Sequence, residues 1–207
     1  LKTHREKVAY SDNLGKPTTN LDRHIRVADI LREINHFLSG RKKMMVVTES
    51  GDSLFGGLDI KVGNDGLYLA QGFYASMGFA IPGALGAQIG TGLRPLVLTG
   101  DGGFQMTGVE IIHAPRHGCN PIVILVNNRG WGIFRPVAKQ QELLALPSLR
   151  YSELAMLWGG VGIRVQTVAE LRRALEKAAQ SSAFVIIEAM TGYRDLSPIS
   201  IKYIRAS

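Results

Sequence analysis

A chain of 207 residues with net charge +7, 45% hydrophobic and 20% charged, is long enough for one sizeable core and too short for two comfortable domains. Its single cysteine, Cys119, excludes an internal disulfide framework and leads to the expectation of a reducing, cytoplasmic setting. No signal peptide is visible and no apolar run reaches the length of a membrane span. The basic clusters at Lys2 to Lys7 and Arg41 to Lys43 lack any nucleic-acid-binding pattern, so neither membrane nor nucleic acid is an expected partner.

Residues 1–20 are polar, carry Gly15 and Pro17 and show no periodicity, so they read as a linker or N-terminal arm. Because the chain opens on Leu1 rather than methionine, it is expected to be cut from a longer polypeptide. From Leu21 an apolar stripe through Ile25, Ala28, Ile30, Leu31, Ile34, Phe37 and Leu38 predicts a helix that stops at Gly40. Met44 to Thr48 predicts a buried strand, followed by a turn at Glu49 to Ser53. A polar insertion around residues 63–66 precedes a short strand, Leu67 to Ala70.

Residues 76–90 predict a helix of small residues able to pack closely on a sheet. Leu96 to Thr99 reads as a strand, and Pro121 to Val126 as a fully apolar one. Between them a helix is expected over Thr107 to Arg116, its start marked by the spacing of Thr107 and Glu110 in a capping box. Segment 131–158 is less regular; 168–180 predicts an amphipathic helix, Phe184 to Glu188 a last core strand, and 196–206 a short tail. Continuous apolar strands separated by helices predict an α/β domain over 21–207, a doubly wound parallel sheet with helices on both faces.

Chemistry concentrates between Leu96 and Phe134. One strand runs into Gly100-Asp101-Gly102-Gly103 and the next into Asn127-Asn128-Arg129-Gly130, which would place both loops beyond the carboxyl edge of the sheet. Asp101 and Asn128 offer hard oxygen ligands suited to magnesium or calcium. Gly102 and Gly103 would leave bare N–H groups near a helix start, which suit a phosphate. A Walker lysine loop and a dinucleotide-type glycine motif are both missing from the sequence. His113 and His117 have metal-ligand spacing, but Pro115 between them ends the helix. Arg129 is read as a solvated loop residue or a guide for a substrate carboxylate, and Glu188 as structural.

Gly100-Asp101-Gly102 followed by Asn127-Asn128 resembles the signature of thiamine diphosphate (ThDP) enzymes. Glu49-Ser50-Gly51-Asp52-Ser53-Leu54-Phe55, Tyr74-Ala75-Ser76-Met77-Gly78-Phe79 and Gly103-Phe104-Gln105-Met106-Thr107 are similar to cofactor segments of the pyruvate and indolepyruvate decarboxylases. The resemblance covers the chain from about Leu21 onward and implies the diphosphate-binding domain of a 2-oxo acid decarboxylase. It implies that Asp101, Asn128 and the Gly130 carbonyl hold magnesium, and that Gly102 and Gly103 meet the diphosphate. It further implies that Ser50 and Asp52 line the pocket and that Met77 is the wedge that bends the cofactor. The Ala75 carbonyl would accept from the aminopyrimidine, and Ile133 would pack on its ring.

Two departures from the family pattern carry consequences. Its activating glutamate lies in a separate pyrimidine-binding domain, usually of a neighbouring subunit in a homo-oligomer, so the chain alone is expected to be nearly inactive. Where pyruvate decarboxylases carry a proton-handling glutamate, four residues past the metal-ligating glycine, this chain has Phe134. Some arylpyruvate decarboxylases also replace that glutamate with an apolar residue. With Trp131, Phe134 implies a substrate pocket for an aromatic or bulky 2-oxo acid, converted to an aldehyde. A carboligase of the acetolactate synthase type and a non-catalytic ThDP-fold module for assembly or regulation remain the alternatives.

Overall fold

The computed structural model describes residues 13–41, 43–63 and 65–206. The basic cluster at Lys2 to Lys7, most of the expected N-terminal arm, Lys42, and Asn64 within the polar insertion lie outside the described residues. Six strands, β1 (Met44–Thr48), β2 (Leu67–Ala70), β3 (Arg94–Gly100), β4 (Ile122–Asn127), β5 (Val161–Val165) and β6 (Val185–Met190), form one sheet in the order β2-β1-β3-β4-β6-β5. Every neighbouring pair is parallel.

Both faces of this sheet are covered, which is why its central strands read as unbroken apolar runs. Val46, Leu96, Leu98, Ile122, Ile124 and Ile187 point to one side, against α1 (Val27–Ser39) and α6 (Val168–Gln180). Met45, Val47, Val97, Val123, Leu125 and Ile186 point to the other. There they meet α3 (Ala80–Thr91), α4 (Asp101–Thr107) and α5 (Tyr151–Leu157). Each such fully buried side chain contributes about 1.5–3 kcal/mol. The doubly wound α/β fold expected from the sequence is the fold observed.

Several element boundaries differ from the sequence reading. The helix expected from Leu21 begins at Val27. The Leu21 carbonyl accepts from Ala169 N–H and Ile25 N–H donates to the Gln166 carbonyl, which straps this segment along the start of α6. The helix expected over 76–90 begins at Ala80, because Ala75 (φ 50°) and Gly78 (φ 90°) take left-handed conformations. The helix expected at Thr107 instead starts at Asp101, directly at the end of β3, and continues as a 3₁₀ segment from Gly108 to His113. No capping box forms at Thr107 and Glu110, since the Thr107 hydroxyl donates to the Gly78 carbonyl. Thr167 and Glu170 form one at α6.

Four elements are additions to the sequence reading. The turn after Glu49 carries a short helix, α2 (Asp52–Gly57), and the irregular segment 131–158 ends in α5. β5 is the edge strand beyond β6. The tail at 196–206 contains a helix, α7 (Pro198–Ala206), docked on α2 through stacked Phe55 and Tyr203 rings 5.7 Å apart. No described helix is long and apolar enough to cross a membrane.

A candidate cofactor site at the carboxyl edge of the sheet

The chain reverses direction across the sheet at β1: β2 lies on one side of it and β3 on the other. Open α/β sheets bind ligands in the crevice beyond such a reversal, and a cavity of about 310 Å³ opens there. The cofactor, metal and substrate-pocket residues implied by the resemblance all line it: Ser50 and Asp52 after β1, Ala75 and Met77 before α3, Asp101, Gly102 and Gly103 after β3, and Asn128, Gly130, Trp131, Ile133 and Phe134 after β4.

Asp101 is the first residue of α4 and is buried. Its Oδ1 accepts from Gly102 N–H (2.9 Å) and its Oδ2 from Gly130 N–H (2.9 Å). Asn128 Oδ1 accepts from that same Gly130 N–H at 3.2 Å. A carboxylate and an amide oxygen from two different strand ends therefore converge on one point. Burial pushes the Asp101 carboxyl up to about 6, against the pull of these N–H groups and of the Arg135 guanidinium. A site that so disfavours an isolated negative charge favours a cation beside it.

The backbone departs from the expected roles in two places. Gly102 N–H is not bare but is taken by the Asp101 carboxylate. The Gly130 carbonyl already accepts from Gly132 N–H (2.8 Å), which leaves one lone pair for any further partner. The glycines at 102 and 103 are also required from the protein side. A Cβ on Gly102 would enter the Trp131 ring, and one on Gly103 would collide with the Glu49 side chain.

The Asn128–Gly130 loop is held from behind. Asn127 donates its amide to Glu188 Oε1 (2.8 Å) and accepts from Arg129 N–H (3.2 Å), which supports the left-handed conformation of Arg129 (φ 60°). Glu188 is fully buried and also accepts from the Ser152 N–H and hydroxyl, so it is structural as read from the sequence. Arg129 itself is exposed. Arg135, buried against the Tyr193 ring, donates to the Asn128 carbonyl (3.2 Å); burial lowers its pKa.

Asp52 is at the cavity wall, but its carboxylate accepts from the Ser197 N–H and hydroxyl, just ahead of α7. Burial raises its pKa, and the Ser197 and Ser200 hydrogen bonds oppose that. Met77 and Phe134 are partly exposed at the cavity, at 38% and 52%. His113 and His117 are exposed, and no cluster of His, Cys, Asp or Glu among the described residues forms a metal-binding group by itself.

Sequence reasoning left Glu49, Asn127, Thr107, Arg135 and Ser197 without roles at this site. Glu49, Asn127 and Thr107 sat inside recognisable motifs; nothing local marks Arg135 and Ser197, whose partners lie 7 and 145 residues away.

A doubly wound sheet with acidic, amide and glycine-rich loops meeting at its reversal point has the layout of a ligand-binding α/β domain. Residues 49–189 match the family described as thiamine pyrophosphate enzyme, C-terminal TPP binding domain, and the chain belongs to that family. It is 38% identical over 180 residues to an indole-3-pyruvate decarboxylase of Azospirillum brasilense, covering 86% of this chain and 32% of that protein. It is 28% identical over 161 residues to an alpha-keto-acid decarboxylase of Mycobacterium ulcerans (75% of this chain, 28% of that one). The like-named Mycobacterium tuberculosis protein is 28% identical over 150 residues, 70% of this chain and 27% of its own. The chain thus spans about a third or less of the length of these relatives.

Proposed function

We propose that this chain, over residues 21–207, supplies the diphosphate and magnesium half of the active site in a ThDP-dependent decarboxylase. The substrate is an aromatic or bulky 2-oxo acid and the product an aldehyde. The observation that carries this reading is the convergence of Asp101 Oδ2 and Asn128 Oδ1 on Gly130 N–H inside the cavity. One carboxylate, one amide oxygen and a backbone carbonyl are the hard donors magnesium prefers.

Asp101, Asn128 and the free lone pair of the Gly130 carbonyl would hold the metal. With the metal drawing the Asp101 charge, the Gly102 and Gly103 N–H groups at the start of α4 would be available to diphosphate oxygens. Ser50 and Asp52 line the wall beside them. Met77 offers the apolar edge against which a bent cofactor would rest, Ala75 a carbonyl for its amino group, and Ile133 an apolar surface for its ring. Bound here, ThDP would supply the electron sink for loss of carbon dioxide from the 2-oxo acid. Phe134 cannot move a proton; with Trp131 it gives the cavity an apolar wall that excludes water and accepts a large side chain.

The activating glutamate would come from a pyrimidine-binding domain, in the same polypeptide or in another subunit of a homo-oligomer, and the enzyme would work in the cytoplasm. Turnover of phenylpyruvate and pyruvate by the native polypeptide with ThDP and Mg²⁺ tests the proposal. Aldehyde formation with a clear preference for phenylpyruvate is expected. Preference for pyruvate would overturn the substrate class, and acyloin as the main product would move the chain to the carboligases.

A further inference from the structure

Glu49, at the end of β1, is 2% exposed, and no Lys, Arg or His forms an ion pair with it among the described residues. Its carboxyl group is instead filled by backbone donors from two separate segments. Oε1 accepts from Ser50 N–H (2.9 Å) and Gly78 N–H (3.1 Å), and Oε2 from Ala80 N–H (3.2 Å). A helix cap would account for Ala80 alone. It does not account for Gly78, which precedes α3, or for Ser50, which follows a different strand.

The other side of Gly78 is held as well, because its carbonyl accepts from the Thr107 hydroxyl at the end of α4. Gly78 has φ 90°, and a Cβ there would press on the Thr107 side chain. Earlier in the same loop, Phe73 and Tyr74 are 91% and 78% exposed, and Ser76 N–H reaches Gln71 Oε1 at 3.3 Å. The loop that carries Ala75 and Met77 is therefore fastened at its Gly78 end. The Glu49 side chain also packs on Gly103, so one residue links this loop to the loop after β3.

We infer that Glu49 and Thr107 are positioning residues that clamp Gly78 from both sides and so fix Ala75 and Met77 relative to the Asp101 and Asn128 loops. The inference rests on the ThDP reading above and deepens it. A carboxyl group can accept all three N–H groups. Glutamine would turn an NH₂ toward one of them and leave a buried donor unmet. The clamp governs where the ring-contacting residues stand, whereas the metal and diphosphate contacts belong to other loops.

The test compares the native polypeptide with Glu49→Gln, Thr107→Val and Thr107→Ser. It measures calorimetric affinity for ThDP with Mg²⁺, affinity for inorganic pyrophosphate with Mg²⁺, and the near-UV circular dichroism of bound ThDP. Glu49→Gln and Thr107→Val are expected to bind ThDP about tenfold more weakly, the loss of one hydrogen bond to a buried group. Their cofactor spectrum should change while pyrophosphate affinity stays at the wild-type level, and Thr107→Ser should behave as wild type. Should Glu49→Gln fail to fold, Thr107→Val tests the clamp from the other side of the same residue. Unchanged ThDP affinity and spectrum, or equal loss of ThDP and pyrophosphate affinity, would overturn the inference. A wild-type polypeptide that fails to bind ThDP would instead overturn the function proposed above, and this inference with it.

Discussion

Asp101 has an ordinary carboxyl pKa of 3.8 and is pushed up to about 6 by burial, even though Gly130, Gly102 and Arg129 N–H groups and the Arg135 charge all oppose the shift. The folded chain therefore holds the Asp101 proton more tightly than the unfolded chain does. Its contribution to stability is fully present below pH 3.8 and is lost as pH rises through about 6. Held as proposed, magnesium would compete with that proton for the same oxygens. In thermal denaturation of the chelator-treated native polypeptide, Asp101→Asn should remove this part of the pH dependence. Added Mg²⁺ should stabilise the wild type more at neutral pH than at pH about 5. An Asp101→Asn variant with the wild-type pH profile would contradict the assignment. Asp101 and Asn128 were legible as candidate ligands because each follows an apolar strand. That Gly130 N–H joins them, and that Asn127 and Glu188 brace the loop, depends on contacts across 29 and 61 residues that no local pattern encodes.

The helices differ in how they are held. α6 has a full capping box, with Glu170 N–H donating to Thr167 Oγ1 and the Glu170 carboxylate accepting from Thr167 and Gln166 N–H. These bonds also pull the Glu170 pKa down. Removing the threonine hydroxyl should cost about 1 kcal/mol. Thr167→Ala is thus expected to lower the unfolding free energy from denaturant titration by that amount and leave ThDP affinity unchanged. An altered affinity would tie α6 to the site, contrary to its place on the sheet. The same threonine-to-glutamate spacing at Thr107 gives no cap, because α4 has already begun at Asp101 and the hydroxyl is drawn to Gly78. Local spacing states what a side chain can do; the competing partner, 29 residues back, decides what it does.

Across the molecule, loops after β1, β3 and β4 reach the cavity from separate parts of the chain. A ligand that contacts all three binds the native state and not the unfolded one, so its affinity appears as stability. At a ThDP concentration about a hundred times the dissociation constant, with Mg²⁺, the native polypeptide should gain about 2.7 kcal/mol. Differential scanning calorimetry should show a rise in the unfolding midpoint that vanishes in Asp101→Asn. A ligand-independent midpoint would show that the three loops do not share a ligand.

The amino-acid order alone was enough to specify the parallel sheet, since strands buried on both faces must be largely apolar, as Leu96–Leu98 of β3, Ile122–Val126 of β4 and Val185–Ile187 of β6 are. It was also enough to put acid, amide and glycine at the strand ends, because a right-handed crossover returns each strand to the same edge. The tertiary structure decided which backbone N–H each side chain would meet. It turned Thr107 from a helix cap into a clamp on Gly78, and engaged Asp52, a pocket residue, with the N–H and hydroxyl of Ser197. It also surrounded the buried carboxyl of Glu49 with three amides. A buried polar group takes whichever partner the packed chain brings within reach, and that partner is set by three-dimensional proximity rather than by distance along the sequence.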